Sequence, residues 1–188
     1  MAVGLGLTQG LDSAVLAFVQ IPHATWLDLL ASLMTIGGDA FVTAGIAAGL
    51  VVARLWTRRP EALVPLALAF ALIGELALKV IVPQAAPPHE LSRSIELIPT
   101  LHAPVPFAYP SGHLARLTFL LTITAVPPRV SAVLIALMGV SRVYLAEHWF
   151  TDVLGGVLLG LVVAWTARGV LRRFFAVPAG ENRSGPAS

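Results

Sequence analysis

Ser141-Arg142-Val143-Tyr144-Leu145-Ala146-Glu147-His148-Trp149-Phe150-Thr151-Asp152 joins two apolar stretches of the chain. It sets an arginine, a histidine and a carboxylate in fixed order where the flanking sequence is oily. His148 and Asp152 are four apart, so on a helix they share one face. Arg142 lies six residues upstream, across a helix end. A cation, an imidazole and a carboxylate to orient it are the parts that phosphate chemistry needs. Charged groups beside a membrane helix are costly and are usually kept for function. Each residue also has a plainer reading. His148 next to Trp149 fits an interfacial aromatic belt, and Asp152 fits a helix cap. The joint spacing is what chance does not readily produce.

The rest of the chain explains why that stretch stands out. Its 188 residues are 57% hydrophobic and only 12% charged, with a mean hydropathy of +0.84. A soluble domain carries about 25% charged residues, and this chain lacks the polar surface to cover a large soluble core. It therefore reads as an integral membrane protein with one domain, residues 1–177, and a disordered tail, 178–188. There is no cysteine, which excludes disulfides and thiolate metal sites. No basic region of a signal peptide opens the chain. The pI near 9.7 reflects arginines at helix ends, which act as orientation charges and not as a nucleic-acid surface.

Five segments are apolar enough to cross a bilayer, for which about 20 residues are needed: 39–56, 61–82, 112–127, 129–146 and 150–171. The third is short and contains Arg116. Residues 11–36 are broken by Pro22-His23 and carry Asp12 and Asp28. Two short interfacial helices, making 1–38 an N-terminal interfacial segment, fit this pattern best. A sixth, kinked spanning helix is the alternative. The fold class is thus all-α, a polytopic membrane bundle of about five spanning helices, or six.

Arg54, Arg58 and Arg59 fall between the first two spans, Arg129 between the third and fourth, and Arg168, Arg172, Arg173 and Arg183 at or beyond the fifth. If the five helices alternate, all share one side, which the positive-inside rule makes cytoplasmic. The loop 83–110 and the turn at 146–149 then face outward. Three sequence-distant polar clusters map to the same outer ends.

The second cluster, Tyr109-Pro110-Ser111-Gly112-His113, reads as a turn into a helix N-terminus. Free N–H groups there attract anions, and glycine lets a phosphate approach the backbone. Alone, such a tripeptide is more often a plain cap. The third cluster is Lys79, the chain's single lysine among eleven arginines. It also reads as a snorkelling interfacial residue. Glu75, one turn earlier, is expected to pair with Lys79 or with Arg116, because an unpaired buried carboxylate is expensive.

With these three clusters in hand, the chain resembles the type 2 phosphatidic acid phosphatase (PAP2) superfamily over about residues 25–172. These are integral membrane lipid phosphatases related in fold to vanadium haloperoxidases. The family's third motif, Ser-Arg-x5-His-x3-Asp, is matched by Ser141, Arg142, His148 and Asp152. Its second, Pro-Ser-Gly-His, is matched by Pro110, Ser111, Gly112 and His113. Its first, Lys-x6-Arg-Pro, is matched by Lys79 and Pro87, but Ala86 stands where the family has arginine.

The resemblance implies a PAP2/haloperoxidase-like core and a two-step hydrolysis with no metal and no cofactor. His148 is then the nucleophile, Asp152 orients its ring, and His113 serves as general acid and then base. Lys79, Ser111, Gly112 and Arg142 hold the phosphoryl oxygens. Arg116, three residues after His113, or Arg93 in the outer loop is expected to replace the missing guanidinium. An altered substrate that needs fewer contacts, or a weakened enzyme, would also account for Ala86; compensation or an altered substrate is favoured, because the nucleophile, its orienting acid and the general acid all remain. Arg116 paired with Glu75 for packing is the plainer reading. His89 and His102 read as loop histidines.

The partners implied are a lipid phosphate or pyrophosphate and the bilayer, with no nucleic acid. The polyprenyl pyrophosphate, phosphatidylglycerophosphate and phosphatidic acid classes are the expected substrates, and the site faces the outer side of the cell membrane. A non-hydrolytic lipid-phosphate binding or transport protein, or a lipid phosphotransferase, is the alternative that Ala86 keeps open.

Overall fold

A computed structural model describes residues 6–59, 61–97 and 107–175. The tail 178–188, His102 and Arg183 lie outside the described residues. Within them are seven α-helices and no strand: α1 (Gln9–Val19), α2 (Thr25–Ile36), α3 (Ala40–Trp56), α4 (Leu68–Ile81), α5 (Gly112–Ile123), α6 (Pro128–Tyr144) and α7 (Phe150–Phe175).

Local chemistry sets the helix ends. Asp39 starts α3: its carboxylate accepts the Phe41 N–H at 2.8 Å and the Val42 N–H at 3.2 Å, a cap worth about 1 kcal/mol. Pro65 lacks an N–H, so the chain enters α4 through a 3-10 turn, Val64–Ala67. The regular helix therefore starts later than the expected 61. Pro128 occupies the first position of α6, where its missing donor costs nothing. The Pro127-Pro128 pair also keeps α5 from continuing, and α5 ends at Ile123 and not at the expected 127.

Two described stretches are long and apolar enough to cross a bilayer unaided, Val64–Ile81 and Phe150–Val170. A third forms if α2 and α3, bent by 41° at a short break, act as one. The 12 residues of α5 extend only about 18 Å, well short of a hydrocarbon core of about 30 Å. The helix is short because the bundle encloses it. It packs on α3, α4, α6 and α7, and Leu114, Ala115 and Phe119 are wholly buried. By contrast, large apolar side chains on the outer helices stand exposed, among them Phe70, Val80, Val133 and Leu158. Lipid is the solvent that suits them.

The tightest crossing joins α5 to α7. A Cβ built on Gly156 would lie 2.3 Å from the Ser111 carbonyl oxygen, and one on Gly160 would lie 2.4 Å from that of Ala115. Glycines one turn apart let the two backbones touch, as small residues do between membrane helices. The contact sets Asp152, one turn before Gly156, beside the start of α5. The Ser111 N–H donates to the Asp152 carbonyl at 2.9 Å.

Alternating helix directions give the bundle two polar ends. Arg54, in the last turn of α3, donates to the Glu61 and Ile123 carbonyls. With Arg59 and Arg168 it lines a cleft at that end. Lys79, Gly112, Arg142 and Asp152 lie in the last turn of α4, the first of α5, the last of α6 and the first of α7.

The chain breaks between α1 and α2 around Pro22-His23, as expected. Asp12 and Asp28 both serve the bundle. Asp12 is fully buried, and Asp28 accepts the Tyr144 hydroxyl at 2.6 Å.

Candidate active site

The turn Leu145–Trp149 carries the central histidine. The N–H groups of Glu147 and His148 both donate to the Arg142 carbonyl, at 3.1 and 3.3 Å. Ala146 takes a left-handed conformation, φ 54°, which costs a non-glycine residue roughly 1–2 kcal/mol. The compact turn brings His148 back over α7. Its Nδ1 lies 3.4 Å from Asp152 Oδ2. That carboxylate is held by its own helix, since Oδ2 also accepts the Trp149 N–H at 2.8 Å. Asp152 sits at the third position of α7 and reaches back to the residue before it, the acidic half of a capping box. The plain reading of Asp152 as a capping group and the functional one are therefore both satisfied by one side chain.

His148 is buried. Burial first, and the Arg142 and Lys79 cations after it, hold its pKa well below the ordinary 6.5, while Glu147 and a hydrogen bond to the Ala108 backbone act the other way. The two largest causes thus favour the neutral ring. Lys79 donates to the Phe107 carbonyl at 2.9 Å and the Ala108 carbonyl at 3.4 Å, and it lies 3.9 Å from Glu75. Arg142 lies 3.6 Å from Glu147, which also accepts the Ser94 hydroxyl.

Buried polar atoms rarely go without a partner. Here Ser111 Oγ, Arg142 Nε, His148 Nδ1 and Asp152 Oδ1 have no hydrogen bond. The distance from Nδ1 to Asp152 is longer than the roughly 2.8 Å of a charge-assisted bond, and apo catalytic pairs are often loose in this way. Of the seven such atoms among the described residues, three are on Gln84, Thr118 and Ser131, and four are on Ser111, Arg142, His148 and Asp152, all in the second and third motifs.

A cavity of about 460 Å³ opens beside these groups, walled by His113, Arg116, Arg142, Glu147, Asp39 and His89 among others. Of the expected residues, His113, Arg116 and Arg142 line it. Lys79, Ser111, His148 and Asp152 are buried outside its walls. Gly38 packs directly on His113: a Cβ there would lie 2.8 Å from the His113 Cβ. Arg116 pairs with Glu75 at 2.7 Å and donates to the Gly38 carbonyl at 3.1 Å. It thus makes the packing pair with Glu75 and also faces the cavity. Arg93 lies elsewhere. Its guanidinium donates to the Gln20 and Pro22 carbonyls and stacks over Tyr144, 5.3 Å from the ring centre. Ala86 lines a separate cavity against α1 and Trp149.

Sequence reasoning missed three contributors. Gly38 and Glu147 carried no separate signal. Asp12 did, because a lone carboxylate in an apolar segment needs a buried partner. It accepts the Thr151 N–H at 2.9 Å and the Thr151 hydroxyl at 2.8 Å, so it fixes the residue next to Asp152. Asp12→Ala leaves both donors unpaired and is expected to lower stability by about 1–3 kcal/mol. Thermal unfolding in detergent reads this out, and a variant as stable as the parent would show that Asp12 holds nothing.

An apolar helical bundle with a buried imidazole–carboxylate pair at one end defines a class, the all-α membrane protein. The chain belongs to the PAP2 superfamily, whose pattern matches residues 60–175. The fold is that of a transmembrane PAP2 type phosphatidylglycerolphosphate phosphatase from Bacillus subtilis, with a TM-score of 0.72 at 19% identity over 94% of this chain and 99% of that one. LpxE of Aquifex aeolicus gives a TM-score of 0.64 at 20% identity, over 85% of this chain and 95% of its own. Phosphatidylglycerophosphatase B of Bacillus subtilis is 35% identical over 78 residues, covering 34% of this chain. The match spans 38% of that relative's length.

Proposed function

We propose that this protein is a membrane lipid phosphatase that hydrolyses a lipid phosphate or pyrophosphate through a phosphohistidine on His148. The neutral, buried His148 set against Asp152, 3.4 Å away, with Lys79 and Arg142 acting on the ring, is the observation that carries this reading. In the first step the ring nitrogen remote from Asp152, released from the Ala108 backbone as the ring proton moves to Nδ1 beside Asp152, attacks phosphorus. The P–O bond to the lipid breaks, and His113 gives its proton to the leaving oxygen. In the second step a water attacks phosphorus, His113 takes its proton, and the N–P bond breaks to release inorganic phosphate. Asp152 stabilises the Nδ1–H form throughout. Lys79, Arg142, Ser111 and the backbone at Gly112 meet the phosphoryl charge, so the scheme needs no metal. Arg116, on the cavity wall, is the arginine that takes the place left by Ala86. The substrate falls in the polyprenyl pyrophosphate, phosphatidylglycerophosphate or phosphatidic acid classes. Purified protein in detergent with a chelator is expected to release phosphate from such lipids and to yield an acid-labile phosphoenzyme on quenching. Tight binding with no turnover on any of them would favour a non-hydrolytic carrier instead.

In this reading α3 to α7 alternate through the cell membrane with the site at the outer face, opposite the arginine-rich end. The absence of cysteine makes this simple to test. Leu91 and Ala125 are exposed, in loops at opposite ends of the bundle. Leu91→Cys is expected to react with an impermeant maleimide in intact cells, and Ala125→Cys only after permeabilisation. The reverse pattern would place the site inside.

A further inference from the structure

A carboxylate lies against the first residue of α5. The Glu75 carboxylate bridges Arg116 at 2.7 Å and Lys79 at 3.9 Å. It also lies directly on Gly112, the first residue of α5, because a Cβ there would fall 2.2 Å from both carboxylate oxygens. Helix N-termini attract negative charge through their free N–H groups. Ser111, which precedes the helix, is fully buried with an unpartnered hydroxyl. The lysine, the glycine and the cavity-lining arginine that are proposed to receive a phosphoryl group are therefore all in contact with Glu75.

We infer that Glu75 is an exchange residue of the substrate-binding step: its carboxylate occupies the phosphate position in the empty enzyme, and the incoming phosphoryl group displaces it from Gly112. This rests on the reading of the α5 turn as the phosphate site. The logic is electrostatic. A phosphate that joined Glu75 on the same cations would meet a like charge across a few ångströms, in a setting that screens weakly. A phosphate that displaces the carboxylate takes over Lys79, Arg116 and the backbone at Gly112 together. When product leaves, Glu75 returns to the same partners, so the cations are never left buried and unpaired. Glu75 thus weakens phosphate binding and speeds product release. A residue that merely positioned Lys79 and Arg116 would act in the opposite direction, because its loss would loosen the cations and weaken binding.

Inorganic phosphate is the probe, titrated against full-length protein in detergent and measured both as a Kd and as product inhibition. Glu75→Gln is expected to bind phosphate at least about tenfold more tightly, with a lower KM and a kcat reduced by slower phosphate release. Glu75→Asp keeps the charge for Arg116 but draws it one methylene back from Gly112. It is expected to shift binding in the same direction, and it carries the test if the amide variant does not fold. Unchanged or weaker phosphate binding in these variants would overturn the exchange. Lys79→Ala and Arg142→Ala separate the two levels. If neither weakens phosphate binding in the parent, the phosphate site itself is misplaced and the exchange falls with it. If both weaken it and the Glu75 variants fail to strengthen it, only the exchange is wrong.

Discussion

His148→Ala is expected to lower kcat by at least about 10⁴-fold, the scale on which removal of a covalent nucleophile acts. Under the proposed scheme the loss falls on chemistry and not on binding, because Lys79, Arg116, Arg142 and the α5 turn are left in place. Phosphate affinity in the variant should therefore stay close to that of the parent, and no acid-labile phosphoenzyme should form. Residual turnover within tenfold of the parent would remove His148 from the mechanism. Its pKa adds a second signature. The folded-state value lies below the ordinary 6.5 because burial and two cations disfavour the imidazolium. The unfolded chain thus binds the proton more readily, and the stability that His148 contributes is present above about pH 6.5 and lost as pH falls through the folded pKa. Activity is expected to suffer no loss from His148 protonation between pH 8 and 6.5. His148→Ala should also flatten the acid limb of the stability profile.

Gly156→Ala is the second large effect, and two opposing terms decide it. Alanine is the better helix former by about 1 kcal/mol. The added methyl, however, would stand 2.3 Å from the Ser111 carbonyl oxygen and 2.9 Å from the Leu114 Cβ. A backbone oxygen cannot rotate away as a side chain can, so α5 and α7 must separate, and overpacking costs about 1–3 kcal/mol, with a clash against backbone at the upper end. The clash wins. The damage is local to the site, because Ser111 N–H also bonds the Asp152 carbonyl. Gly169→Ala on the same helix is the control. Nothing lies within 4 Å of a Cβ there, so the same substitution should stabilise. Equal thermal stability of the two variants in detergent would show that the α5–α7 contact does not depend on glycine.

These two residues illustrate how differently parts of the molecule declare themselves. His148, Asp152 and Arg142 are legible in one short stretch, because a helix period and a turn bring them together over a few residues. Gly156 and Gly160 are ordinary small residues until the partner backbone is known. Glu75 shows the same divide. Its pairing with Lys79 or Arg116 follows from the cost of a lone carboxylate in lipid. That it touches both, and presses on Gly112, depends on how α4 and α5 cross. Ala86 was legible as a departure from the family pattern, and the fold adds that Arg93 is engaged elsewhere while Arg116 faces the cavity. The helix ends at Ile123 and Leu68 lie four and seven residues from the expected 127 and 61, because apolar runs continue through the Pro-containing junctions that interrupt the helix.

By itself, the sequence determined the solvent this protein prefers, the order of its apolar helices and the polar motif residues at their ends. Each of those is written locally, in hydropathy, in charge and in spacings of a few residues. Only the tertiary structure decided which residues touch across the bundle: Asp12 on Thr151, Gly38 on His113, Glu75 on Gly112, and two glycines of α7 against the backbone of α5. Such contacts are set by close approach between distant segments, which depends on how whole helices cross and leaves no local pattern.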